Sequence, residues 1–85
     1  MTAFVLRIEE GELTPLASAK SRSPVSIIVK NHGPGTLRVA FLDEGGRDTS
    51  ERQVIKMDAT VIVSHHWGLS LETAHGPSVV TIEVV

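Results

Sequence analysis

Four histidines, His32, His65, His66 and His75, are the side chains best suited to bind a metal or move a proton near neutral pH. Zinc needs three or four ligands converging on one tetrahedral point. His65 and His66 are neighbours at the end of an apolar run. Successive side chains of a strand point to opposite faces, so this pair chelates poorly unless the chain bends there. His32 and His75 stand in glycine- and proline-rich segments elsewhere. No metal site is expected from this spacing. Ser64 precedes His65, but a triad also needs an orienting acid brought to the base. The chain carries no nucleophile elbow, phosphate loop or paired-carboxylate motif. The expectation is a protein that is not an enzyme, with catalysis left only to a subunit that shares its site with another chain.

Two further groups of residues have chemical potential. The loop Asp43-Glu44-Gly45-Gly46-Arg47-Asp48 offers three carboxylates. Calcium takes about six to eight oxygens, and Arg47 competes for those present, so a solvated turn is expected. Trp67 is the one tryptophan, and there is no tyrosine. Sugar platforms and stacking surfaces need aromatic faces. With Phe4 and Phe41 expected in the core, only Trp67 is left for that role. Gly68 follows it, which predicts a tight corner where Trp67 either caps the fold or makes a contact. No cofactor is expected.

Composition narrows the partners. The chain has 85 residues, no cysteine, a formal net charge of −2 and 21% charged residues. The length fits one domain, 1–85, with a thin margin of stability. The absence of cysteine excludes disulfides and thiolate chemistry. The eight Lys and Arg residues are scattered rather than gathered, which argues against a nucleic-acid partner. No apolar run approaches the ~20 residues of a membrane helix, so no membrane partner is expected. The first residues lack a basic region followed by an apolar one, which predicts a cytoplasmic chain; a removed leader would leave an extracellular location open.

The elements that must carry these residues read as strands. Phe4, Leu6 and Ile8 alternate with Val5 and Arg7. Leu37, Val39 and Phe41 do the same, as do Val80, Ile82 and Val84. This period of two marks one face of a strand. The strands predicted are 3–9, 25–30, 36–42, 53–57, 60–66, 68–73 and 79–85. Turn chemistry separates them at Glu10-Gly11, Asn31–Gly35, Asp43–Gly46 and Ala74–Pro77. Asp48–Met57 is the best helical stretch, but β-branched residues end it, and it reads as an irregular approach to a strand. Residues 14–24 read as a loop or irregular edge. The fold class is all-β: a small antiparallel sandwich or barrel-like domain of six to seven short strands. The strand rhythm from Val25 to Val85 resembles short immunoglobulin-like modules, although the cysteine pair, core tryptophan and tyrosine corner of that family are missing.

His32-Gly33-Pro34 recurs as His75-Gly76-Pro77, 43 residues later. In that register Leu37, Val39 and Phe41 fall on Val80, Ile82 and Val84. Either the chain is duplicated, or two hairpins reuse the same turn residues. Finally, two stretches are apolar on both faces: Val25, Ile27, Ile28 and Val29, and Val79–Val85. With Val80, Ile82 and Val84 turned to the core, Val79, Thr81, Glu83 and Val85 form an outer face, mostly apolar with Glu83 as its one charge, that needs cover. The expected function is a non-enzymatic, self-associating structural or protein-interaction module, with Val79, Thr81, Val85 and Trp67 as its contact residues. The alternative is a small sugar- or metal-binding β domain using Trp67 and the histidines.

Overall fold

The computed structural model describes residues 2–16, 25–65 and 67–84. Among these residues six strands appear in chain order: β1 (Thr2–Ile8), β2 (Thr14–Leu16), β3 (Val25–Leu42), β4 (Asp48–Ile55), β5 (Thr60–His65) and β6 (Gly68–Val84). There is no helix among the described residues. All pairing is antiparallel and belongs to one sheet, ordered β1-β6-β3-β4, with β2 also on β6 and β5 also on β3. The all-β expectation holds.

The strand boundaries differ from the expected ones in an informative way. Two pairs of short strands are in fact two long ones. β3 runs 18 residues and β6 runs 17, each straight through a segment expected to be a turn. They pair with each other almost end to end, from Ile27↔Val84 to Leu42↔Gly68. The ladder is interrupted only by register shifts at Asn31/Gly33 and Pro34/Thr36. The glycines, prolines and histidines there build bulges rather than hairpins. Gly33 has φ 78°, His75 φ 62° and Gly76 φ 114°. A bulge adds a residue to one strand, bends it and leaves the ladder running beyond. In β6 the buried positions are 69, 70, 71 and 73 before this segment and 78, 80 and 82 after it; the core cluster takes Leu69 and Leu71 from the first set and Val80 and Ile82 from the second. The core-facing set changes parity across Ala74–Pro77.

Bends of this kind leave backbone groups that the ladder cannot satisfy. Asn31, fully buried, fills that need on β3. Its Nδ2 donates to the carbonyls of Gly35 and Ile55, and its Oδ1 accepts from the Gly33 amide, each at 2.9 Å. On β6 the Thr73 hydroxyl donates to the Gly76 carbonyl at 2.8 Å and lies 2.8 Å from the Ser78 hydroxyl. Gly35 sits against that cluster. A Cβ there would overlap the Gly76 oxygen, Thr73 Oγ1 and Ser78 Oγ, so the approach of β3 to β6 at the bend requires glycine.

The remaining differences are smaller. The segment expected to approach a strand irregularly is strand from Asp48 onward, and Met57 lies in the following turn. Thr14–Leu16, expected in a loop, is a short strand on β6; residues 17–24 lie outside the described residues. One cluster of buried side chains draws on both ends of the long ladder. It contains Ile27, Val29, Val80 and Ile82 from one end and Leu37, Val39, Leu69 and Leu71 from the other, with Ile8, Ile55 and Val63 from the flanking strands. Phe4 was expected inside it, but its edge strand leaves it 38% exposed. Phe41 packs against the cluster only in part.

Candidate interaction face

The bend divides the sheet into two ends, each four strands wide. At the first end β1, the C-terminal half of β6, the N-terminal half of β3 and β5 lie side by side. Leu6, Ile8, Val80, Ile82, Ile27, Val29 and Val63 point to the core from this end. Their alternate neighbours therefore form the face turned away from it. Two rows of that face follow from the register: Val5–Thr81–Lys30–Thr60, then Ala3–Glu83–Ile28–Ile62. Val5 is 66% exposed and Ile62 67%. Ile28, Thr81 and Glu83 are half-buried, shielded by the strands on either side.

Two polar contacts order this face. His32 Nε2 lies 2.6 Å from the Thr81 hydroxyl, with donor and acceptor set by the tautomer. The Ser26 and Ser64 hydroxyls lie 3.0 Å apart one row beyond Ile28 and Ile62. Each ties a central strand to its neighbour.

The expected contact residues fall as follows. Thr81 is central to the face. Val79 is half-buried beside it, opposite Arg7 on β1 and Gly33 on β3. Trp67 is half-buried at the bend joining β5 to β6. Val85 lies outside the described residues, as does His66. The C-terminal strand is not the exposed edge that its sequence implied. It runs between β1 and β3, which leaves β1 and β5 as the edges of this end. His32 and His75 are on strands β3 and β6, not in end loops. No group of three or more His, Asp or Glu is arranged to hold a metal among the described residues. Val5 and Ile62 were not identified from the sequence. The continuous apolar run Val61-Ile62-Val63 was the available signal, because a strand apolar at consecutive positions has a side chain on each face.

The matching face at the other end has the opposite chemistry. Val54–Arg38–Glu72 form one row, and Arg52–Ala40–Ser70 the next. Glu72 Oε1 accepts from Arg52 Nε at 3.0 Å and lies 3.6 Å from Arg38 Nε. Arg52 also donates to both oxygens of Asp48, at 2.7 and 2.6 Å. The Arg52 fork, helped by the Ser50 amide, holds the Asp48 carboxyl down to about 2, while the two carboxylates raise the Arg52 guanidinium. A third acid, Asp43, accepts from the Gly45 and Arg47 amides and so closes the β3–β4 loop. Asp43 and Asp48, two of the three acids of this loop, are thus engaged with the protein itself.

No helix among the described residues is long and apolar enough to cross a membrane. No protein-family model, curated protein or solved structure matches this chain.

Proposed function

We propose that the protein is a non-enzymatic interaction module that associates with a second copy of itself through the face carrying Val5, Ile28, Ile62, Val79 and Thr81. The two ends of the sheet, meeting over one buried cluster, act in this reading as a sandwich-like body with two outer faces. The observation that carries the reading is the contrast between them. One face is closed by an Arg–Glu–Asp network lying beside buried Ala40 and Ser70. The other presents Val5 and Ile62, each about two-thirds exposed, around half-buried Ile28. Exposed apolar side chains on both edge strands of one face, with Ile28 between them, support a contact surface.

The charges support a second copy as the partner. Lys30 and Glu83 sit diagonally across the central strand pair, with Thr81 and Ile28 on the other diagonal. A two-fold axis in the plane of the sheet along Thr81 and Ile28 brings each Lys30 over the other copy's Glu83. Ile28 then meets its own counterpart, as an isologous interface requires. Covering Val5, Ile28 and Ile62 gains about 1.5–3 kcal/mol for each side chain fully removed from water. A partner of different chemistry would not need this self-complementary pair. Light scattering on the wild-type chain and an Ile62→Lys variant tests the reading: the wild type should show twice the mass of the variant.

A further inference from the structure

The ladders of this fold have a property that the outer faces do not explain. Divide the chain at the Asp43–Arg47 loop. The first half then holds β1, β2 and β3, of 7, 3 and 18 residues, and the second holds β4, β5 and β6, of 8, 6 and 17. Exchanging the halves maps the pairing onto itself. β1 on β6 becomes β4 on β3, β2 on β6 becomes β5 on β3, and β3 on β6 is its own counterpart. The two His-Gly-Pro segments fall at the middle of the two long strands, where Pro34 pairs with Ser78 beside Pro77. The recurrence is therefore an architectural repeat, two short strands followed by one long bent strand, and not two hairpins sharing turn residues.

Among the described residues every ladder joins one half to the other; none lies within a half. Three of the polar bonds at the bend cross in the same sense. Asn31 of the first half donates from its side chain to the Ile55 carbonyl and from its backbone amide to the Ala59 carbonyl, and its own carbonyl accepts from the Asp58 amide. A strand without a partner leaves its amides and carbonyls unpaired, and a half without the other has no sheet at all. Folding of this chain is the binding of one half by the other.

We infer that each half is a complete binding partner for the opposite half of any copy of this chain, so that two molecules can exchange halves and form an interlocked dimer hinged at Asp43–Arg47. In that dimer the first half of one molecule carries the second half of the other, and every ladder is retained. What keeps the pairing within one molecule is the hinge. It is closed by the Asp43 amide on the Arg47 carbonyl at 2.8 Å, by the Gly46 amide on the Asp43 carbonyl at 3.0 Å, and by the Asp43 carboxylate. A short tether holds its two ends at an effective concentration on the order of millimolar, so the closed form dominates in dilute solution. A hinge too short to turn removes that advantage and leaves exchange as the way to pair.

The test removes Glu44, Gly45 and Gly46. The remaining Asp43-Arg47 link then lacks the residues that a two-residue hairpin, with positive φ at both positions, requires. With Val5→Lys and Ile62→Lys added to block the outer face, the variant should still run at twice the chain mass with the strand circular dichroism of the wild type, whereas Val5→Lys with Ile62→Lys alone should run at the single mass; this separates exchange from association through the outer face. A folded, single-mass variant overturns the inference. A second measurement covers failure to fold: a protease site inserted between Gly45 and Gly46 of the full chain, cut after folding. The two pieces should stay together, with a melting temperature that rises with protein concentration, as a bimolecular pair demands. Pieces that separate in native buffer, or one that keeps its strand spectrum alone, overturn it.

Discussion

Asn31 and Gly35, four residues apart on β3, are tied by a 2.9 Å hydrogen bond from the Asn31 side-chain amide to the Gly35 carbonyl. The bond spans the bulged segment and lets a strand of 18 residues turn from one end of the sheet to the other without losing its ladder. Asn31→Leu keeps comparable bulk but strips partners from the Gly35 and Ile55 carbonyls and the Gly33 amide. Each buried group left unpaired costs about 1–3 kcal/mol. The variant should lose about 3 kcal/mol or more, read as a large fall in the urea midpoint. A midpoint within a few tenths of a molar of wild type would show that Asn31 does not hold the bend.

Gly35→Ala tests the other side of the same junction. Its Cβ would enter the space of the Gly76 carbonyl and the Thr73 and Ser78 hydroxyls, none of which is the movable end of a long side chain. Overpacking of this kind costs about 1–3 kcal/mol. The control is Gly45→Ala in the β3–β4 loop, where the new Cβ would meet only Asp43 Oδ1, at 3.5 Å. Thermal melts should separate the two, with Gly35→Ala clearly lower and Gly45→Ala near wild type. Equal melting would mean that β3 and β6 can draw apart at the bend.

Acid should weaken the charged face first. The Asp48 carboxyl is held at about 2 by the Arg52 fork, below the ordinary aspartate value. A depressed carboxylate stabilises the fold above its unfolded pKa and loses that contribution as pH falls toward its folded one. The window lies between about pH 4 and pH 2. The pair is exposed, so the effect is small. Asp48→Asn should melt slightly below wild type above about pH 5, fall less steeply across this window and converge with wild type near pH 2. An identical acid limb in both proteins would show that the Arg52–Asp48 contact is not populated in solution.

The strand class was readable because alternation survives any arrangement of the strands. Leu37, Val39, Val80 and Ile82 are all buried, as their spacing required. The continuity of β3 and β6 was hidden for a local reason. Gly33-Pro34-Gly35 and His75-Gly76-Pro77 have the residue types of turns, and only tertiary partners such as Asn31 and Ser78 convert them into bulges. The outer face was half legible. Ile28, Val79 and Thr81 stood out because their strands are apolar on both sides. Val5 and Ile62 join them only through the β1–β6 and β3–β5 registers, which no local pattern encodes. The C-terminal strand seemed an edge from its place in the chain, yet pairing with β1 buried that edge.

The charge pair on the apolar face gives a further check. If Lys30 meets Glu83 of the second copy, Lys30→Glu should weaken association by like-charge contact, and Lys30→Glu with Glu83→Lys should restore it. Double-charge reversal that fails to rescue the mass, while the single change lowers it, would place the two groups apart in the dimer.

The most direct measurement is the molar mass of the untagged wild-type chain by light scattering across a concentration series, beside Val5→Lys with Ile62→Lys. The wild type should approach twice 9.1 kDa at micromolar concentration and above, and the double variant should stay at about 9.1 kDa with an unchanged strand spectrum. A wild type that remains at 9.1 kDa throughout the series would contradict self-association through this face.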